Sequence, residues 1–135
     1  MAAIPKSYKI EEGEVAPNAP MVGRICELST KANPAIVVEK ITAVDITNHV
    51  LKVNVVPQNG KIPIDHNNLT VTLKEKNESK TEVIWSSDIT LKTTGKLLYP
   101  VLKAGIGKSF VELLEELKHY TETGKPHPRK QLKTT

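Results

Sequence analysis

Cysteine, aromatic residues and long apolar runs are all scarce in this chain, and each shortage removes a class of protein. A single cysteine, Cys26, among 135 residues rules out an internal disulfide, so a reducing, cytoplasmic setting is expected. Cys26 lies in a strand-like stretch, where a lone cysteine behaves as a small buried apolar residue rather than a nucleophile. No apolar run approaches the roughly 18 residues that would suggest a membrane-crossing helix, and the opening Met-Ala-Ala-Ile-Pro-Lys lacks the charged-then-apolar layout of a signal peptide. Stable membrane insertion is therefore not expected. The four histidines, His49, His66, His119 and His127, show no HxH or HExxH spacing, and no metal site is expected from them. No Walker loop or GxGxxG is present. The stretch Gly105-Ile-Gly107-Lys108 resembles a phosphate loop only superficially, having no strand directly before it. No nucleophile elbow marks a Ser/His/Asp triad, and no cofactor is expected.

One sign of charge is missing from the body of the chain. The net charge is +4, but Lys125, Arg129, Lys130 and Lys133 follow Gly124 with no acid among them. Without these four, 15 basic residues face 15 acidic ones. A nucleic-acid-binding body would carry its excess basic residues on one face, so no nucleic acid is expected to bind there. The length suits one domain with a sizeable core. Residues 1–124 read as that domain, and residues 125–135, with two prolines and four basic residues, as a basic disordered tail.

The strongest positive signal is helical. Between Leu97 and Tyr120, the residues Ile106, Phe110, Leu113, Leu114, Leu117 and Tyr120 fall at i, i+3, i+4, i+7 spacing. Lys108, Glu112, Glu115, Glu116 and Lys118 fill most of the opposite face. Pro100 suits the first turn, and Gly124 followed by Pro126 makes a stop. Gly105 and Gly107 each cost about 1 kcal/mol against Ala in a helix interior. Either they let the helix approach a sheet or leave room for something bound between the two, or they mark a kink or a helix starting near Ile106.

Before Leu97 the periodicity is that of strands: Ser7–Glu14, Val22–Ser29, Ile36–Asp45, Val50–Val56, Leu69–Lys74 and a last strand through Val83, Trp85, Ser87, Ile89 and Leu91. Asn59-Gly60 and Asn77-Glu-Ser79 are turn signals between them. Consecutive strands joined by short turns make an antiparallel meander. The predicted fold is α+β, a curved antiparallel sheet of about six strands gripping one long C-terminal helix. Two side chains bear on function. Glu39 sits inside the apolar run around Ile36–Ile41, either facing outward or turned inward, where it must pair or become neutral. Trp85, the sole tryptophan, is either ordinary core or the wall of a ligand cavity.

Several segments, in order, resemble the SRPBCC or START-like helix-grip superfamily, in its polyketide cyclase/dehydrase-like branch. Val22-Gly-Arg-Ile-Cys-Glu-Leu28 resembles its VGxxRxL strand, and Val38-Glu-Lys-Ile-Thr-Ala-Val-Asp45 its ExIxxxD strand and turn. Thr81-Glu-Val-Ile-Trp-Ser86 resembles its TxVxWS strand, and Phe110–Lys118 with Glu122-Thr-Gly124 its terminal helix. The resemblance implies binding of a small hydrophobic or amphipathic ligand, such as a lipid or polyketide, between sheet and helix. Trp85, Ile89, Phe110 and Leu114 would line the site, with Arg24 and Glu39 as anchors. A cyclase-type enzyme with Glu39 as acid/base, or an interaction protein, are the alternatives. Members of the superfamily begin with a strand and two short helices that have no counterpart here. The Trp85 strand would then present an open edge, leading the chain to pair as a homodimer, bind a partner, or be marginally stable.

Overall fold

A computed structural model describes residues 4–130. Its elements are β1 (Lys6–Lys9), β2 (Gly23–Glu27), β3 (Ile36–Asp45), β4 (Val50–Gln58), β5 (Ile64–Asn77), β6 (Lys80–Leu91), the short helix α1 (Thr93–Leu97) and the long helix α2 (Tyr99–Thr123). The six strands form one antiparallel sheet in the order of the sequence, curved at the register shifts between Ile41 and Ala43 and between Ile64 and His66. The α+β architecture expected from periodicity is the one observed, and it is consistent with a helix-grip fold.

Local chemistry explains the turns. After β3, Asp45 Oδ1 accepts from the Asn48 backbone N–H at 2.9 Å, and Asn48 Nδ2 donates to Asp45 Oδ2 at 2.7 Å. After β4, Asn59 and Gly60 both adopt positive φ, at 54° and 67°, the conformation that Asn and Gly tolerate best. Between β5 and β6, Asn77 Oδ1 accepts from the Ser79 N–H at 3.0 Å. Pro57 continues β4 beyond the expected end at Val56. It lies past Val55, the last β4 residue paired with β5, so it occupies an edge position where a strand proline is tolerated.

β1 is shorter than the expected Ser7–Glu14 strand, ending at Lys9 before the acidic pair Glu11 and Glu12 and the positive-φ Gly13. β5 begins earlier than expected, at Ile64 rather than near Leu69. α2 runs without interruption through Gly105 and Gly107, so they mark neither a break nor a start. Its C-cap is Gly124, with φ 69° and its N–H donating to the Tyr120 carbonyl at 2.8 Å. Among the described residues no helix is long and apolar enough to cross a membrane.

The register puts Cys26, Val37, Leu69, Trp85 and Ile89 on one face of the sheet, the face toward α2. The buried apolar residues are few: Val22, Cys26, Val37 and Leu69. No apolar residue of α2 is buried, and Val101, Val111 and Tyr120 of the helix are exposed. Sheet and helix are therefore incompletely closed on each other. Glu116, assigned by periodicity to the polar face of the helix, is in fact its buried residue, 6% exposed, while Tyr120 of the apolar stripe is 58% exposed. The cause is the stretch after Gly124, which folds back along α2 as far as Lys130. Arg129 reaches Glu115 at 2.8 Å and lies 3.8 Å from both Glu112 and Glu116. The rest of the expected tail, including Lys133, lies outside the described residues.

Candidate ligand site between sheet and helix

α2 crosses the β5–β6 side of the sheet, where the rings of Trp85 and Phe110 meet with centroids 6.0 Å apart and planes inclined by 42°. Beside this contact lie two adjoining hollows of about 360 and 420 Å³, each within the usual size of a small-molecule site. Ile89, Leu102, Ile106 and Phe110 line both. Ser87, Leu91 and Gly107 border the first, and Ile64, Asn67, Gly105 and Ser109 the second. The helix supplies one wall because Leu102, Ile106 and Phe110 recur every four residues and so share a face. The sheet supplies the other because Ser87 and Ile89 alternate with Ser86 and Asp88, which point away.

Gly105 and Gly107 flank Ile106 at the border of this space. A methyl group placed on either Gly105 or Gly107 would meet nothing within 4 Å, so neither is there for close packing. Gly95 differs: a Cβ there would come 2.3 Å from the Pro63 carbonyl oxygen. Gly95 thus lets α1 sit tightly against the loop before β5, setting where α2 begins.

Among the described residues two buried side-chain polar atoms have no hydrogen-bond partner: Oδ1 of Asn67, which borders the second hollow, and Nε1 of Trp85, which borders neither. The Asn67 amide makes one bond, from Nδ2 to Ser87 Oγ at 3.4 Å. Neither Asn67 nor Ser87 stands out in the sequence as a site residue. Asn67 could have been found by continuing the alternation of Leu69 and Val71 back by two residues.

Of the residues assigned to the site by sequence, Ile89 and Phe110 line the hollows, and Trp85 packs on Phe110 without lining either. Leu114, one turn beyond Phe110, is half-buried and does not line the hollows. Arg24 and Glu39 face each other on β2 and β3 in a cross-sheet row that continues through Val55 and Asn67 to Ile89. At about 4.8 Å per strand, Glu39 is roughly 14 Å from Ile89, so the pair stands at the far end of the row and not in the hollows. Arg24 Nε donates to Glu39 Oε2 at 2.5 Å. Partial burial works against the Arg24 charge, but the hydrogen bond and charge of Glu39 outweigh it, leaving the guanidinium above its ordinary value. Gly23 brings these strands together: a Cβ there would lie 2.0 Å from the Glu39 carbonyl oxygen.

Cys26, fully buried on the same face, has its thiol pushed up to about 11 by burial and by the negative charge of Glu39. It stays protonated at neutral pH, which removes the thiolate a nucleophile needs. Among the described residues no three His, Cys, Asp or Glu side chains gather where a metal ion could sit. No family model, curated protein or solved structure matches the chain.

Proposed function

We propose that the chain binds a small, largely apolar ligand between the β5–β6 side of the sheet and α2, in the manner of the START-like helix-grip superfamily that its segments resemble. The observation that carries this reading is the pair of hollows walled by Ile89, Leu102, Ile106 and Phe110, with Gly105 and Gly107 facing open space. Apolar walls with few polar groups suit binding driven by removal of apolar surface from water. Binding is favoured over polyketide cyclase-type catalysis because Glu39, the acid/base such an enzyme would use, is engaged by Arg24 away from the hollows. The test is native mass spectrometry of the purified chain beside Gly105→Trp and Gly107→Trp, which add bulk at the border of the hollows from positions where a Cβ meets nothing within 4 Å. A small molecule that accompanies the parent chain and is lost from the two variants is the expected result. Equal retention by all three would refute the reading.

A second reading is favoured by one observation. β6 is an outer strand of the sheet, with only β5 beside it along its 12 residues. Its free backbone groups suit two-fold pairing with a second copy. In that pairing with Ile84 opposite its own counterpart, Lys80 faces Asp88 twice. Light scattering over a dilution series is expected to give a dimer at micromolar concentration, and a monomer throughout would remove this reading.

A further inference from the structure

We propose that the junction of α1 and α2 docks on the surface of an anionic lipid bilayer, its apolar side chains dipping among the headgroups and its lysines meeting their negative charge. Leu97, Leu98, Tyr99 and Val101 are all exposed, Leu97 by 82% and Val101 by 74%. Large apolar side chains gathered in this way, rather than scattered singly, mark an interaction surface. Leu98 ends α1 and caps α2, so the chain turns a corner there, and the sheet leaves that corner uncovered.

Charge says what covers it. Lys92, Lys96, Lys103 and Lys108 flank the corner, and no acid occurs between Asp88 and Glu112. Lys103 Nζ stands 5.9 Å from the centre of the Tyr99 ring. Lys108 is two turns on from Val101 and so on the same side of α2. Asp65, the carboxylate that the β5–β6 pairing brings to this end of the sheet, is taken up by His66 at 2.8 Å. The N-terminal end of α2 adds its own partial positive charge, with no acid in the first turn. The acids of α2, Glu112, Glu115, Glu116 and Glu122, all lie in its second half, so an anionic surface attracts one end of the helix and repels the other.

A second copy of the chain would set these lysines against one another. A nucleic acid would match the lysines and leave the leucines in water. A bilayer with anionic headgroups takes both, because apolar groups enter the acyl boundary while lysine and tyrosine keep their polar ends at headgroup level. The junction lies on the bilayer without crossing it, since among the described residues no helix is long and apolar enough to cross. This docking does not depend on the hollows holding a ligand.

Sedimentation of the full chain with lipid vesicles tests it. The chain is expected to sediment with phosphatidylcholine vesicles holding about a third phosphatidylserine, to stay in solution with phosphatidylcholine alone, and to be largely released at about 0.5 M salt. Lys96→Gln combined with Lys103→Gln should weaken binding about fivefold per lysine. Lys52→Gln combined with Lys74→Gln removes the same charge from the outer face of the sheet and should leave binding nearly unchanged. Leu97→Ser combined with Val101→Ser, at exposed positions where no core is opened, should weaken it about tenfold. Absence of sedimentation with the phosphatidylserine vesicles would overturn the proposal and leave an acidic protein as the occupant of this surface. Equal weakening by the two lysine pairs would reduce the binding to net charge and overturn it as well, as would undiminished binding by the Leu97 and Val101 variant.

Discussion

Cys26 and Trp85 stand on the same face of one sheet in opposite surroundings. Around Cys26, the strands β2 and β3 each have neighbours on both sides, and Cys26 and Val37 are buried opposite one another. Around Trp85, β6 has a neighbour on one side only, two hollows adjoin, and the helix above exposes Val101 and Val111. No apolar residue of α2 is buried. Backbone pairing is long on both sides, so the difference lies in the side chains: around Cys26 the sheet face is buried. Around Trp85 that face is covered by a helix resting on a few rings and aliphatic groups. The poorly closed half carries the hollows, as expected if a ligand must enter, since binding elements are drawn from the less stable parts of a fold.

The largest test of this contrast is a pair of truncations. Leu69, 8% exposed, lies on β5 between β4 and β6, and Leu69→Ala should cost about 2–5 kcal/mol. Leu114→Ala, on the half-buried stripe of α2, should cost less than about 2 kcal/mol, since less of its surface has left water. Urea denaturation of both measures this, and equal losses would mean that the helix carries as much of the fold as the sheet.

The contrast can be sharpened because each half holds the sole residue of its kind, one Cys and one Trp. With rising urea, Trp85 fluorescence should change before the Cys26 thiol reacts with Ellman's reagent, as the helix lifts from a sheet still intact. Coincident transitions would show that the two halves unfold as one.

A smaller effect follows from pH. The folded Cys26 thiol titrates at about 11, above its ordinary value of 9.0. A raised folded value stabilises the protonated form, so this contribution is full below about pH 9 and is lost as pH rises toward 11. Stability of the parent chain should fall more steeply across that window than stability of Cys26→Ala, as read by urea melts at pH 8, 9.5 and 10.5.

The parts legible in the sequence were those whose causes are local. Ile36–Asp45 was bounded correctly because a β-branched run ends in a side-chain-capped turn, and Gly124 ends α2 in the left-handed conformation that only glycine adopts freely. Alternation along β6 put Trp85, Ser87 and Ile89 on one face. What escaped depends on distant partners. The polar run Asp65-His-Asn-Asn68 has little strand propensity and forms β5 because β4 and β6 pair with it, which hid Asn67. The Arg24–Glu39 pair needed the β2–β3 register, which neither strand specifies alone. Burial of Glu116 needed a later stretch to turn back on the helix.

That returning stretch provides the smallest expected effect. Arg129 meets Glu115 at 2.8 Å with side chains 31% and 59% exposed, and its distances to Glu112 and Glu116 are longer, at 3.8 Å. Exposed ion pairs contribute about 0–1 kcal/mol and weaken with salt. Arg129→Ala should therefore shift stability by no more than about 1 kcal/mol at low ionic strength, and less at 0.5 M salt. The residual effect at high salt reports what salt screens least, the Nε contacts with His127 at 3.4 Å and with the buried Glu116 at 3.8 Å. Thermal melts of parent and variant at both salt concentrations give this difference. A loss of several kcal/mol that persisted in salt would place part of the missing core at the C-terminal end of α2, and the helix side would no longer be the weaker half.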